Sequence, residues 1–134
     1  MILASYADHF MAVVDALTAA GLTVGEGWGR DNAGSVLATP YVSVISTSGP
    51  GRRGPVGARF DDSRLEIQTS CVATSARGAE VLRDTVSATL LAGVPVAGRR
   101  VNVWSDLGVG VQRDPDVHEL FVEIDRWMLW STPS

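Results

Sequence analysis

The sequence predicts an α+β domain in which two helices pack on one face of a mostly antiparallel or mixed β-sheet. Two segments repeat apolar residues at helical spacing, and other segments alternate polar and apolar residues, which is typical of strands with one buried face. A long Gly-, Pro- and Arg-rich loop separates two of these strands. The length of 134 residues suits a single domain, residues 1–134, with a core of its own.

The first helix is predicted from Tyr6 to about residue 20, because apolar residues follow one another at steps of three and four and Gly21 is a typical C-terminal cap. His9 falls on its polar side and is expected to face solvent. A second helix is predicted after Thr74 and Ser75, which supply an N-cap, and it ends at Gly93 and Pro95. Its expected inward residues are Ala79, Leu82, Val86 and Leu90.

Five strands are predicted. Residues 41–46 are rich in β-branched residues, and residues 64–72 alternate, with Leu65, Ile67, Thr69 and Cys71 inward. Residues 99–104 and 108–112 are predicted as two short strands separated by a turn at 105–107. In the last strand, residues 118–130, the expected inward residues are Leu120, Val122 and Ile124, and the expected outward residues are Glu119, Glu123 and Asp125.

Apolar residues on the outward side of the sheet predict a contact surface. Phe121 and Trp127 share the parity of the polar residues in the last strand, and Trp104 does so in its own strand. Large exposed apolar groups of this kind mark partner contacts. The alternative is that each aromatic ring lies against a surface loop of the same chain.

The loop at residues 47–63 is expected to be mobile in the isolated subunit and to become ordered against a neighbour. Its interface candidates are Arg52, Arg53, Arg59, Phe60, Asp61 and Asp62. The segment from Gly49 to Gly54 spells a G-x-G-x-x-G motif, but Pro55 follows where a dinucleotide site needs a helix. No cofactor is therefore expected.

Composition and motifs argue against an enzyme. All eleven basic residues are Arg, so lysine chemistry is absent, and the two His have no recognisable catalytic frame. Asp114, Asp116, His118 and Glu119 could be metal ligands, but Asp-Pro-Asp is turn chemistry and no metal is expected. The net charge of −4 argues against a dedicated nucleic-acid binder, and no membrane span is expected.

The order of elements resembles the tail terminator proteins of long-tailed bacteriophages of the minor tail protein U type. The matching text is residues 40–44 before the Gly/Pro-rich loop, residues 64–72, the helix holding Ala79 and Val86, residues 111–114, and Leu120-Phe121. The resemblance implies a homohexameric ring on the head-proximal end of the tail tube, which stops tube polymerisation and binds head-closure proteins. It also implies a virion location after assembly in the host cytoplasm, and DNA that passes through the ring without sequence recognition.

Two other functions stay open at this point: another neck or tail component, such as a head-completion or tube-like protein, and a small ligand-binding α+β domain. If the ring forms, Arg52, Arg53 and Arg59 are expected to pair with carboxylates of an adjacent copy. The candidate partners are Glu66, Glu119 and Glu123, which with Trp104, Phe121 and Trp127 make up the predicted interface on the sheet.

Overall fold

The computed structural model describes residues 6–27, 37–47, 63–114 and 119–133, and these ranges contain two helices and one five-stranded sheet. The strand order across the sheet is β1-β2-β3-β5-β4. The predicted α+β class is confirmed. The elements are α1 Tyr6–Ala19, β1 Val24–Glu26, β2 Tyr41–Ser46, β3 Ser63–Ala73, α2 Ala76–Ala92, β4 Arg99–Arg113 and β5 Phe121–Pro133.

The sheet is mixed. Strand β1 pairs in parallel with β2, and the other three pairings are antiparallel. Strands β3 and β5 form the central ladder, which runs from Ser63 opposite Ser131 to Ala73 opposite Phe121. Strand β2 has the predicted bounds, and β3 extends the predicted strand by one residue at each end.

The segment predicted as two short strands and a turn is one continuous strand, β4. Its ladder with β5 shifts register between Ser105 and Leu107 and again between Val109 and Gln112. The polar and glycine residues that suggested a turn are taken up within the strand by these irregularities. Gly108 lies opposite Asp125, and a Cβ there would come within 2.6 Å of Asp125 Oδ1, so glycine makes room for a neighbouring carboxylate.

Helix α1 ends in the cap that the sequence predicts. Gly21 has a φ of 88°, its N–H donates to Thr18 O at 3.0 Å, and the Leu22 N–H donates to Leu17 O at 3.3 Å. This pair of hydrogen bonds is a Schellman motif, in which glycine avoids the steric cost of positive φ. Leu17 is fully buried, and Leu22 packs against the core.

Helix α2 also agrees with its prediction. The Ser75 Oγ accepts a hydrogen bond from the Gly78 N–H at 2.9 Å, and Gly93 follows the last turn. The four expected inward residues Ala79, Leu82, Val86 and Leu90 are the buried residues of the helix. Both helices lie on one face of the sheet, and the core between these layers includes Val13, Val44 and Ile67.

The predicted orientation of β5 is wrong. Trp127 and Leu129 are fully buried beneath the helices, and Asp125 is 1% exposed. Directly opposed residues share a face of a sheet, so Glu123 and Phe121, which lie opposite Cys71 and Ala73, are also on the helix side. Apolar residues occur at both parities of this strand, so its own alternation could not decide which face is buried.

The predicted inward residues of β5 are also on the wrong face. Val122 and Ile124, predicted to point inward, lie opposite Val72 and Ser70 on the face away from the helices. Both are half-buried there. Leu120 precedes the strand and is also half-buried.

Candidate interaction surfaces

The side of the sheet away from the helices is here called the open face, because neither helix packs against it. Register assigns its members strand by strand. They include Tyr41, Ser43 and Ile45 of β2; Arg64, Glu66, Gln68, Ser70 and Val72 of β3; Arg100, Asn102, Trp104 and Gln112 of β4; and Val122, Ile124, Arg126, Met128, Trp130 and Thr132 of β5.

Apolar side chains make up much of the open face. Trp104 is 44% exposed, so its predicted place on the exposed side is confirmed. Ile45, Ile124 and Trp130 are half-buried, although no described element packs over them. A soluble sheet with one solvated face normally alternates to polar residues there, so this surface suits contact with a partner.

The charge of the open face is positive. Three guanidinium groups, those of Arg64, Arg100 and Arg126, face one carboxylate, that of Glu66. Arg64 pairs with Glu66 at 3.3 Å, and its Nε donates to Met128 Sδ at 3.1 Å. Within the described ranges, Arg100 and Arg126 are exposed and take part in no ion pair.

The outward surface of α2 carries more negative than positive charge. We call its exposed residues Arg77, Glu80, Val81, Asp84, Ala88 and Leu91 the α2 stripe. Their spacing of one, three and four residues places them along one side of the helix. Val81 is 58% exposed and Leu91 is 55% exposed, so the stripe combines two carboxylates and one guanidinium with two apolar side chains.

A charged cluster joins the inner edge of α2 to β5. Arg83 Nε donates to Asp125 Oδ2 at 3.2 Å, and this hydrogen bond raises the pKa of Arg83. Glu123 lies beside them, and its buried Oε2 has no hydrogen-bond partner among the described residues. Burial, and then the charge of Asp125, raise the pKa of Glu123. The guanidinium of Arg83 thus lies near two carboxylates, those of Asp125 and Glu123. Burial and the excess of negative charge both destabilise the ionised form of Glu123.

Cys71 lies below this cluster and is fully buried in the core, as the alternation of β3 predicts. Burial, and then the charges of Asp125 and Glu123, raise the pKa of its thiol to about 12. The thiol therefore stays protonated at neutral pH and fills core volume, which is poor chemistry for a nucleophile.

A second buried polar group joins α1 to the sheet and corrects the prediction that His9 faces solvent. His9 is 2% exposed, and its Nε2 lies 2.7 Å from Ser131 Oγ. Arg99 donates from Nε to the same Oγ at 2.9 Å and from a terminal nitrogen to Ser131 O at 2.9 Å. His9 lies four residues before Val13 and eight before Leu17, both fully buried, so helical spacing places it on the buried side of α1. Nothing in the sequence pairs it with a serine 122 positions away.

The predicted interface residues fall in different places. Glu66 and Trp104 lie on the open face, and Glu119 is exposed in the turn before β5. Phe121 is half-buried on the helix side, with the Arg113 guanidinium 5.2 Å from its ring centre. Trp127 is in the core, where its Nε1–H donates to Thr69 Oγ1 at 2.9 Å.

The predicted loop residues Arg52, Arg53, Arg59, Phe60, Asp61 and Asp62 lie outside the described residues, as do Asp116 and His118. Across the described ranges, no group of three or more His, Cys, Asp and Glu side chains could hold a metal ion. No helix in those ranges is long and apolar enough to cross a membrane.

Sequence reasoning missed Arg100, Arg126 and the α2 stripe. Val81 and Leu91 gave a usable signal, because they are apolar residues on the side of α2 opposite its buried leucines. Arg126 gave none, since its face depends on the orientation of β5.

Comparison of the sequence with protein-family models and with curated proteins finds no match. Comparison with solved structures finds a chain in the structure titled "Virion of native gene transfer agent (GTA) particle". The TM-score is 0.66 at 17% identity, and the alignment covers 95% of this chain and 97% of that chain. This protein therefore has the fold of a chain from that virion.

Proposed function

We propose that this protein is a structural component of a phage-like virion, and specifically a tail terminator. Six copies form a ring on the head-proximal end of the tail tube. The ring stops tube polymerisation and offers its other surface to head-closure proteins. DNA passes through the ring without sequence recognition, and the protein remains in the neck region of the virion.

The observation that carries this proposal is the shared fold with a virion chain. The alignment spans nearly the full length of both chains, so the likeness concerns the whole domain and not one common supersecondary motif. The order of elements, and the sequence segments in β2, β3 and β5 that resemble tail terminators, support the specific role of tail terminator.

The surfaces support assembly as the mode of action. A ring of identical subunits needs two different complementary surfaces on each copy. The open face and the α2 stripe are two such surfaces, one positive and one negative. We also propose that the role is not enzymatic, because Cys71 and the buried His9, Arg99 and Asp125 are engaged in packing and in internal hydrogen bonds.

The test is tube-length control in an assembly assay with the tail tube protein of the same particle. We expect tubes of uniform length with a ring at one end by electron microscopy, and overlong tubes when this protein is left out. Incorporation along the whole tube would instead identify a tube subunit. Binding to filled heads without any effect on tubes would identify a head-completion protein.

A further inference from the structure

We infer that the open face of one copy docks on the α2 stripe of a second copy, in a head-to-tail contact. This inference rests on the proposed ring, for which it supplies the subunit interface. It replaces the predicted sheet interface at Phe121, Glu123 and Trp127, which lie on the helix side of the sheet.

Charge complementarity is the first argument. The open face carries three guanidinium groups against one carboxylate. The α2 stripe carries the carboxylates of Glu80 and Asp84 against the guanidinium group of Arg77. Opposite charges that face each other across an interface steer association and fix its register.

The apolar content of the two surfaces is the second argument. The large hydrophobic side chains that are exposed in the described ranges are Met11, Val81, Leu91 and Trp104. Val81 and Leu91 lie on the α2 stripe, and Trp104 lies on the open face. Each surface thus offers apolar groups beside charged ones, which is the composition of a protein interface with a polar rim.

The same charges exclude a symmetric contact between two open faces. Such a dimer would bring the exposed Arg100 and Arg126 of both copies together, and like charges across an interface cost several kcal/mol. A head-to-tail contact leaves one open face and one α2 stripe free after each addition. It therefore propagates until the ring closes.

The test is a charge exchange between separate copies. Arg126→Glu changes the open face. Asp84→Arg changes the α2 stripe, where the Asp84 side chain is 77% exposed, and it also removes the 3.9 Å ion pair of Asp84 with Arg83. Each variant alone is expected to associate at least about tenfold more weakly than the wild type in sedimentation experiments. An equimolar mixture is expected to recover wild-type association, because alternating copies restore an opposite charge pair at every contact.

Glu26→Arg is the matched control, since Glu26 is exposed on β1, away from both surfaces, and undergoes the same change of charge as Asp84→Arg. It should associate like the wild type. Circular dichroism should show all variants folded.

Three results would overturn the inference: a wild-type protein that stays monomeric at its solubility limit, single variants that associate normally, or weak single variants that do not rescue each other. The proposed function is judged separately. If the wild type forms rings and the Arg126→Glu variant still forms them, the proposed tube-capping function stands and the subunit interface lies elsewhere.

Discussion

The two faces of the sheet are built from the same strands but differ in burial and in the partners of their polar groups. On the helix side, Trp127, Thr69 and Leu65 are packed beneath α1 and α2, and the Trp127 Nε1–H donates to Thr69 Oγ1. On the open face, Trp104 and Arg126 are exposed and the latter has no ion pair among the described residues. The first face holds the subunit together, and the second leaves Trp104, Arg100 and Arg126 available to another molecule, although Ser43, Val72 and Met128 on that face are buried.

The difference is most direct within β5. Asp125 and Arg126 are adjacent in sequence, yet Asp125 is 1% exposed and bonded to Arg83, whereas Arg126 is exposed. A buried carboxylate requires a partner because desolvation of its charge is costly, but an exposed guanidinium is stabilised by water. Substitutions on the two faces should therefore differ in what they damage: folding on one side and association on the other.

The largest expected effect compares two tryptophans. Trp127→Ala removes a fully buried ring and its hydrogen bond to Thr69, so we expect the free energy of unfolding to fall by about 3–5 kcal/mol in urea denaturation. Trp104→Ala, on the open face, should cost about 1 kcal/mol or less. Equal losses would show that the open face also belongs to the folding core.

Two serines sharpen the comparison. Ser131→Ala leaves the buried His9 and Arg99 without the hydroxyl that both contact, and we expect a loss of about 1–3 kcal/mol of unfolding free energy. Ser70→Ala, on the open face, should change it by less than about 0.5 kcal/mol. A neutral Ser131→Ala would mean that water replaces the hydroxyl.

Two glycines of β4 test the close approach to Asp125. Gly108→Ala places a methyl group 2.6 Å from Asp125 Oδ1, a carboxylate that Arg83 holds in place, and should destabilise the protein by roughly 1–3 kcal/mol. Gly110 has no heavy atom within 4 Å of such a methyl group, so Gly110→Ala should lose no stability. Thermal unfolding of both variants, which differ in position by two residues, would settle the contrast.

The smallest effect is a pH dependence at Glu123. Its folded-state pKa is raised above the ordinary value of 4.5 by burial and by Asp125, so the folded protein binds a proton that the unfolded chain releases. The stability contributed by the neutral carboxyl is present below that ordinary pKa and is lost as pH rises through the folded-state pKa. Glu123→Gln should therefore be more stable than the wild type at pH 7, and the gain should vanish in acid.

Glu119→Gln is the control for this titration, because Glu119 is exposed in the turn before β5. Its unfolding free energy should follow that of the wild type at every pH, to within about 0.5 kcal/mol. A gain for Glu123→Gln that persists below pH 4 would point to packing instead of charge as its cause.

Local patterns were sufficient for much of the fold. The helical spacing in α2 identified its four buried residues, Ser75 and Gly93 identified its ends, and the alternation of β3 identified its buried side. These predictions succeeded because each depends on residues within one element, where one face is clearly polar. The exposure of Trp104 was predicted in the same way, from the alternation within its own strand.

The errors arose where information from another element was needed. Residues 105–107 have the composition of a turn, but pairing with β5 keeps the backbone extended through them. Strand β5 has apolar residues at both parities, so its buried side is chosen by its register with Ile67 and Leu65. His9 has the polarity of a solvated residue, but it shares the buried side of α1 with Val13 and Leu17, and the contact with Ser131 supplies a polar partner there.

The sequence by itself thus determined both helices and their ends, the strands β2 and β3, the approximate position of β5, and that apolar groups would remain on the outside of the sheet. Tertiary structure decided which side of β5 is inside, and with it that Arg126 and not Trp127 lies on the exposed surface. The physical reason is that side-chain alternation within a strand defines two faces but does not say which is buried. That choice depends on the free energy of packing against helices that lie far away in the chain.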